Sequence, residues 1–568
     1  MAGNCDKDGG YEKANPIKTI LMYSDKINVN ILTSLMVAHG IKTVVVCPGS
    51  RNAPLAHNLA SCPEINCVSV TDERSAGFYA IGLALASEKP VAVCVTSGSA
   101  FLNLAPAIAE AYYQEVPILI VSADRPLSMI GQLQGQTMQQ TNILGAMLKG
   151  EVALPEPTND TEKWYCNRLV NEAIHKLTAH GSGPVHVNVP ISEPLYSFNT
   201  EVLPTQRKIV MADAVADKDC LRKLAAHFAV AEKPMLVIGQ LKRSEWLKMA
   251  DYIEMVKERV VVLAEKLSDA SATTEPPLDM LVGRMASATD YQPDFVIYVG
   301  GNMVSKRIRQ FLQSASPKRS VVVNAAGELA DVMMNATDLV VAHPTDIIEA
   351  IALENGFRVE TPWLRLWQQL KAETMAAVNL YGGKFSQVDA IRLFFKSIKG
   401  KPFDIHVANS MAVRIALCFA DRYLYVNRGV NGIEGSLSTA AGYSLMASNP
   451  VACIIGDLSF FYDANALWHQ GLCGNFRILL INNKCGGIFA KFANLADSPA
   501  RDCYVMARHG ATAEGVCKQN NIAYRVATDC KQLADGVRWL VNEPCQMPML
   551  LEVMTDEEVD MQEYGKLK

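Results

Sequence analysis

The sequence lacks the features that mark several large classes of protein. None of its 15 cysteines has the Cys-x-x-Cys spacing of a zinc ribbon, and their odd number and scatter argue against a disulfide framework. No uninterrupted apolar stretch reaches about 18 residues, and residues 1–23 lack the apolar centre of a signal peptide. We therefore expect a cytoplasmic protein with reduced, mostly buried thiols and no membrane partner.

The chain also has no excess of basic charge. The chain has 53 Lys and Arg residues against 58 Asp and Glu residues, a net charge of −5. Because no run of five or more basic residues is present, nothing in the charge pattern favours nucleic acid as a partner. A Walker loop and the Gly-x-Gly-x-x-Gly fingerprint are both missing, which disfavours nucleotide hydrolysis and nicotinamide chemistry.

The composition is that of a folded globular protein, with 568 residues, 49% hydrophobic and 20% charged. Apolar runs of strand length alternate repeatedly with longer helical patterns, which predicts an α/β fold built on doubly wound parallel sheets. We predict three such domains, at residues 20–198, 205–360 and 380–560. The main predicted strands are residues 43–47, 91–96, 117–122, 185–189, 234–239, 259–263, 295–299, 320–323, 404–407, 423–427, 451–456, 477–482 and 549–553.

Two of these strands end in polar residues. Gly456-Asp457 closes one buried strand, and Asn483 follows the next one 26 positions after the Asp. In a parallel sheet both residues lie at the carboxyl edge, where open α/β sheets bind ligands. A carboxylate, an amide oxygen and a nearby carbonyl suit Mg²⁺, which takes its other ligands from phosphate or water. The alternative is that Asp457 is only a helix N-cap and that Asn482-Asn483 is only a turn before Gly486-Gly487.

A second polar signal is the acidic pair Asp72-Glu73, which lies between a short apolar strand and a helix of small residues at 75–86. An acidic pair at a helix start is favoured by the helix dipole, so capping is the alternative to a functional role.

Together these features resemble the thiamine diphosphate-dependent enzymes of the decarboxylase and carboligase type. Longer sequence motifs narrow the resemblance to the 2-succinyl-5-enolpyruvyl-6-hydroxy-3-cyclohexene-1-carboxylate (SEPHCHC) synthases of menaquinone biosynthesis. They are PGSRNAPL at 48–55, DER at 72–74, SADRP at 122–126, GPVHVNVP at 183–190, NRG at 427–429, GIEG at 432–435, GDLS at 456–459 and residues 483–489.

The resemblance implies pyrimidine-binding, middle and diphosphate-binding domains, and a role for each motif. Glu73 would hydrogen-bond the aminopyrimidine of thiamine diphosphate and favour the imino tautomer that removes the thiazolium C2 proton. Asp457, Asn483 and the Cys485 carbonyl would bind Mg²⁺, with Mn²⁺ as an acceptable substitute. The other residues expected to contact the cofactor are Ser410, Ile433, Gly456, Ser459, Ile488 and Phe489.

The family decarboxylates 2-oxoglutarate and joins the product to isochorismate by 1,4-addition. Both substrates are dicarboxylates, so several cations are needed, and a guanidinium matches a carboxylate bidentately. The residues at substrate-contacting positions are Ser50, Arg51, Arg125, Gln136, Lys306, Arg414 and Arg428, with Arg307 as a weaker candidate. Ser50, Arg51 and Gln136 join Glu73 as the expected catalytic set. The alternative for any one arginine is a solvated surface position or an ion pair.

The resemblance also implies a homodimer or homotetramer, because in this superfamily Glu73 and Asp457 of one site would come from different chains. Two other functions stay open at this point. One is a carboligase or 2-oxoacid decarboxylase of the same fold with a different acceptor, and the other is a catalytically silent regulator or scaffold.

Overall fold

A computed structural model describes residues 22–210, 217–268, 275–328 and 330–567. The N-terminal segment without signal-peptide character therefore lies almost wholly outside the described residues. Three parallel sheets and one small antiparallel ribbon make up the β-structure of the described ranges. No helix within those ranges is long and apolar enough to cross a membrane.

The first part of the chain forms a six-stranded parallel sheet and the ribbon. Its strands are β1 (Tyr23–Ser24), β2 (Thr43–Val46), β3 (Asn66–Ser69), β4 (Val91–Val95), β5 (Ile118–Asp124), β6 (Gly150–Ala153), β7 (Val185–Pro190) and β8 (Phe198–Thr200). Its helices are α1 (Ile27–Ala38), α2 (Ala53–Ser61), α3 (Glu73–Ser87), α4 (Ser99–Asn103), α5 (Ala105–Tyr113) and α6 (Asp160–Lys176). The sheet has the order β3-β2-β4-β5-β7-β6, and β1 pairs with β8. Its central strands are apolar because helices cover both faces.

The middle part forms a five-stranded parallel sheet with the order β10-β9-β11-β12-β13. Its strands are β9 (Pro234–Ile238), β10 (Val261–Ala264), β11 (Phe295–Val299), β12 (Arg319–Val323) and β13 (Asp338–Val340). Its helices are α7 (Lys218–Ala229), α8 (Arg243–Lys257), α9 (Leu278–Gly283), α10 (Lys306–Ala315), α11 (Pro344–Leu353) and α12 (Pro362–Asn379).

The last part forms a second six-stranded parallel sheet. Its strands are β14 (Asp404–Val407), β15 (Leu424–Tyr425), β16 (Val451–Gly456), β17 (Phe476–Asn482), β18 (Ala523–Ala527) and β19 (Met549–Met554). Its helices are α13 (Gln387–Ile398), α14 (Met411–Phe419), α15 (Ser436–Ser444), α16 (Asp457–Tyr462), α17 (Glu514–Gln519), α18 (Cys530–Asn542) and α19 (Glu557–Gly565). The order is β15-β14-β16-β17-β19-β18.

The first and third sheets have the same topology. Replacing β2 to β7 by β14 to β19, in chain order, converts one strand order into the other. In both sheets the direction of the strand order reverses between two neighbouring strands, which are β2 and β4 in the first sheet and β14 and β16 in the third. Such a reversal opens a crevice at the carboxyl edge of the sheet.

The two sheets are joined by the equivalent helices α3 and α15. A Cβ on Gly82 would lie 2.1 Å from the Thr439 carbonyl oxygen, and one on Gly442 would lie 2.6 Å from the Tyr79 carbonyl oxygen. Only glycine permits backbones to approach this closely. A single apolar core consequently runs from the first sheet into the third.

The α/β class is confirmed, and each sheet lies inside one predicted domain, although the domain boundaries themselves stay predictions. The short edge strands β6, β13 and β18 were not predicted, because half-exposed strands lack a continuous apolar run. The thiols are less buried than expected, with seven described cysteines buried, three partly buried and four exposed.

Candidate functional site

The end of β16 is tied to the loop after β17 through Asp457. This carboxylate is 4% exposed and begins α16, so its side chain is not the N-cap of that helix. Its Oδ1 accepts the Leu458 N–H at 2.7 Å, and its Oδ2 accepts the Cys485 N–H at 3.2 Å. Burial raises the pKa of Asp457 above its usual value. The Nε2 of His509 lies 3.3 Å from the same Oδ2.

Asn483 follows β17 directly and is oriented by an acid that the sequence did not single out. Its Nδ2 donates to Asp560 Oδ2 at 3.1 Å, which leaves Oδ1 on the side of Cys485, whose Sγ lies 3.8 Å away. Asp560 also accepts the Gln387 N–H and the Thr555 hydroxyl, each at 2.7 Å. Burial raises the pKa of Asp560 to about 6.

The oxygen donors at this edge fit Mg²⁺. They are the Asp457 carboxylate, the Asn483 amide oxygen and the Cys485 carbonyl, which accepts the Gly487 N–H at 2.9 Å and keeps a second lone pair. Within the described ranges no group of three or more His, Cys, Asp or Glu side chains could hold a metal. The fit therefore depends on the mixed set of one carboxylate and two neutral oxygens.

The predicted cofactor residues surround the same crevice. Ser410 precedes α14 with φ 71°, an uncommon conformation for a residue other than glycine. The Ser459 hydroxyl donates to the Ile433 carbonyl, which ties α16 to the loop before α15. Space is open beside Gly456, since a Cβ there would meet no atom within 4 Å. Ile433 is 44% exposed and Phe489 37% exposed, whereas Ile488 packs against the core of the third sheet.

Arg428 lies in the loop after β15 and is buried. Its Nη1 donates to Asn409 Oδ1 at 3.0 Å, while its Nε has no hydrogen-bond partner. Burial lowers the pKa of Arg428 to about 10, and the carboxylate of Glu265 opposes that effect. A buried guanidinium with a free donor is suited to an anionic ligand.

The other predicted cations near this edge carry contacts of their own. Arg414 Nη1 lies 3.7 Å from Asp279 Oδ2, and Arg307 Nη1 donates to the Asp279 carbonyl at 3.3 Å. Lys306 begins α10 and is exposed. Arg414 is therefore in an ion pair with Asp279, which is the alternative to substrate binding that the sequence left open for each arginine.

At the edge of the first sheet, Asp72 and Glu73 have separate tasks. Asp72 caps α3 by accepting the Ser75 N–H at 3.2 Å and also accepts the Asn465 side chain at 2.8 Å. Glu73 is half-buried and accepts one hydrogen bond, from Asn103 Nδ2 at 3.2 Å. Because the side chain of Asp72 already caps α3, capping does not explain the carboxylate of Glu73.

Four further predicted residues lie at this edge. Arg51 is 5% exposed, donates to the Ile191 carbonyl at 3.0 Å and pairs with Glu193 at 2.9 Å. Arg125 Nε donates to the Gly135 carbonyl at 3.2 Å, which places Gln136 next to it. Ser50 and Gln136 are exposed. Their crevice is supported by the buried Gln140, which the sequence did not reveal, and whose Oε1 accepts the Gly98 N–H at 2.7 Å.

Apart from Lys306 and Arg307 on α10, the predicted site residues thus form two sets in one chain. One set, with Glu73, lies at the edge of the first sheet, and the other, with Asp457, lies at the edge of the third. Among the described residues no hydrogen bond or ion pair joins a member of the first set to a member of the second.

Comparison with known proteins decides the family. The family described as "Thiamine pyrophosphate enzyme, N-terminal TPP binding domain" matches residues 29–145, and "Middle domain of thiamine pyrophosphate" matches residues 204–396. The SEPHCHC synthase of Phocaeicola vulgatus is 40% identical over 551 residues, which cover 95% of this chain and 97% of that protein. The chain belongs to the SEPHCHC synthase family.

Other members of the SEPHCHC synthase family match over the same extent. The synthase of Bacteroides fragilis is 40% identical over 95% of this chain and 98% of its own length. That of Desulfotalea psychrophila is 32% identical over 94% and 98% respectively. The resemblance found in the sequence motifs is therefore confirmed along nearly the whole chain, including both sheet edges.

Proposed function

We propose that the chain catalyses the SEPHCHC synthase reaction, in which 2-oxoglutarate is decarboxylated and the four-carbon product adds to isochorismate by 1,4-addition. The observation that carries this proposal is the presence of two equivalent sheet edges in a chain that matches a SEPHCHC synthase over 95% of its length. One edge presents the carboxylate of Glu73, which does not cap α3, and the other presents the oxygen donors around Asp457.

Thiamine diphosphate, when bound, supplies the carbanion chemistry. Glu73 would accept a hydrogen bond from the aminopyrimidine and hold its proton there. Asp457, Asn483 and the Cys485 carbonyl would bind Mg²⁺, and Mn²⁺ would suit the same oxygen set. The remaining cofactor contacts would come from Ser410, Ile433, Gly456, Ser459, Ile488 and Phe489.

The substrate carboxylates would meet cations from all three sheets. Arg51 and Arg125 lie at the first edge with Ser50 and Gln136, while Lys306 would come from the start of α10 in the middle part of the chain. Arg414 and Arg428 belong to the third edge. Arg414 and Arg428 each have a buried Nε without a hydrogen-bond partner, and Arg428 is the more deeply buried residue, which makes it the strongest candidate for a substrate carboxylate.

A complete site would need a second chain, so we propose a homodimer or homotetramer that functions in the cytoplasm. The separation of the two residue sets supports this assembly. Exposed apolar side chains near both edges also suit a partner chain, among them Leu133, Trp468 and Phe489.

The proposal is tested by single-turnover release of CO₂ from 2-oxoglutarate with thiamine diphosphate and Mg²⁺, repeated with isochorismate while product mass is recorded. CO₂ release with an adduct that carries the succinyl group is the expected result. CO₂ without the adduct would indicate a different acceptor. No cofactor-dependent CO₂ would contradict the proposal and favour a silent protein of the same fold.

A further inference from the structure

Glu110 is a buried carboxylate on α5 to which neither the sequence motifs nor the proposed chemistry assigns a role. It is 3% exposed in a helix whose other residues are apolar or small (APAIAEAYY). Its Oε1 accepts the Gly429 N–H at 2.8 Å and its Oε2 accepts the Val430 N–H at 2.7 Å. A buried carboxylate is costly unless its oxygens are hydrogen-bonded in this way, and burial raises the pKa of Glu110.

The loop that donates these hydrogen bonds lies directly against α5. A Cβ on Gly429 would lie 2.7 Å from the Glu110 carbonyl oxygen and 3.1 Å from the Tyr113 Cβ. Only glycine at position 429 therefore allows the loop to come this close to α5. The two hydrogen bonds from the loop to the Glu110 carboxylate hold the loop at that distance.

Arg428 is the residue immediately before the two N–H groups that Glu110 binds. Its own carbonyl accepts the Asn302 side chain at 2.9 Å, and the Val426 carbonyl accepts Gln240 Nε2 at 3.0 Å. The backbone on both sides of Arg428 is thus held by the middle sheet and by the first sheet, while Asn409 of the third holds the guanidinium.

We propose that Glu110 is a positioning residue for Arg428, which fixes the 428–430 loop so that the guanidinium meets a substrate carboxylate. The inference rests on the proposed role of Arg428 in the SEPHCHC synthase reaction. It predicts that loss of the Glu110 bonds displaces a substrate contact while the cofactor contacts around Asp457 stay in place.

The test compares holoenzyme carrying Glu110→Gln with a matched control, Asp294→Asn. Asp294 likewise uses both carboxylate oxygens to accept consecutive backbone N–H groups, from Glu232 at 3.1 Å and Lys233 at 2.7 Å. It lies at the start of β11, remote from both edges. Glu110→Gln is expected to raise KM for 2-oxoglutarate by about tenfold to a hundredfold. Thiamine diphosphate affinity should stay within about twofold, and Asp294→Asn should leave both values unchanged.

The same variants are combined with Arg428→Ala in a double-mutant cycle. If Glu110 acts through Arg428, Glu110→Gln adds no further rise in KM once Arg428 is removed. Independent, additive effects would overturn the inference, as would a rise in KM no larger than that of Asp294→Asn. Glu110→Asp keeps the charge but withdraws it by one methylene, and it replaces Glu110→Gln if that variant does not fold.

Binding of glutarate, an unreactive dicarboxylate, to the holoenzyme is measured by calorimetry in parallel. Weakened glutarate binding in both Glu110→Gln and Arg428→Ala supports the inference even if the wild-type protein forms no adduct, a result that would contradict only the proposed reaction. Unchanged glutarate binding in Glu110→Gln overturns the inference whatever the wild-type protein catalyses.

Discussion

The first and third sheets share one strand order but end in different chemistry. The loop after β2 carries Ser50 and Arg51, whereas the equivalent loop after β14 carries Ser410. The loop after β4 holds a Ser-Gly-Ser turn, whereas β16 is followed directly by Asp457, the first residue of α16. In the proposed function, the first edge supplies a carboxylate and cations for organic groups, whereas the third edge supplies oxygen ligands for a metal together with Arg414 and Arg428.

This difference shows that the fold supplies positions while the loops supply chemistry. The strand ends of both sheets converge because parallel strands share an edge, whatever residues follow them. A family resemblance can therefore be tested one loop at a time, and four variants sharpen the comparison between the two edges.

The largest effect is expected at the first edge from Glu73→Gln. In the role proposed for Glu73, an amide could not hold a proton on the aminopyrimidine as the carboxylate would, so kcat should fall by about 10²-fold to 10⁴-fold. Single-turnover CO₂ release measures the loss. Asp72→Asn is the control, since Asp72 caps α3 and Asn caps a helix about as well as Asp: it should leave both the unfolding free energy and kcat near normal. Equal losses of kcat in both variants would contradict the separate tasks of the pair.

At the third edge, Asp560→Asn should weaken Mg²⁺ binding by about tenfold to a hundredfold. The new amide no longer guarantees an acceptor for Asn483 Nδ2, so the Asn483 oxygen loses its fixed orientation. Titration of Mg²⁺ in the presence of thiamine diphosphate, followed by tryptophan fluorescence, gives the affinity. Glu563→Gln alters another buried carboxylate of α19, one that bonds Tyr381, and should leave Mg²⁺ affinity unchanged. A similar loss in both variants would show that α19 acts only through stability.

The contact between the two sheets is broken by Gly82→Ala. The added methyl group would overlap the Thr439 carbonyl, so the unfolding free energy should fall by about 1–3 kcal/mol. Urea denaturation measures the change. Gly515→Ala, in α17, places a methyl group where nothing lies within 4 Å and should be neutral or slightly stabilising. A neutral Gly82→Ala would mean that α3 and α15 can separate without cost.

The smallest effect is a pH dependence at the same contact. Asp463 is buried, accepts the Ser438 N–H and hydroxyl at 2.8 Å each, and lies 3.8 Å from Arg74. Burial raises its pKa to about 6. Its stabilising contribution is therefore complete below the unfolded pKa and is lost as the pH rises through about 6. Relative to Asp463→Asn, the wild-type protein should gain about 1 kcal/mol in unfolding free energy between about pH 7 and about pH 5. A constant difference across that range would contradict the raised pKa.

Much of this fold could be predicted from the sequence because buried parallel strands are continuous apolar runs, as in β16 and β17. The positions of Asp457 and Asn483 followed from those strands. Edge strands such as β18 (AYRVA) carry no such signal. Without the family resemblance, the sequence could not separate Asp72 from Glu73, because two adjacent acids carry the same charge and differ only in which groups their side chains contact.

The supporting acids were not predictable for a related reason. Asp560 is one of several acids in residues 556–563, and only the three-dimensional fold brings it to Asn483. Glu110 did leave a signal, since it is the only charged residue in the helix 105–113, but its partner lies more than 300 residues away in the chain.

The central claim is that a complete site combines the first edge of one chain with the third edge of another. It is tested most directly by mixing two inactive variants, Glu73→Gln and Asp457→Ala, under conditions that exchange subunits. In a mixed dimer one of the two sites would then carry both changes and the other neither, so the account predicts that CO₂ release returns, to about a quarter of the wild-type rate for random dimers. A mixture as inactive as its components, with subunit exchange demonstrated by mass, would contradict the shared site.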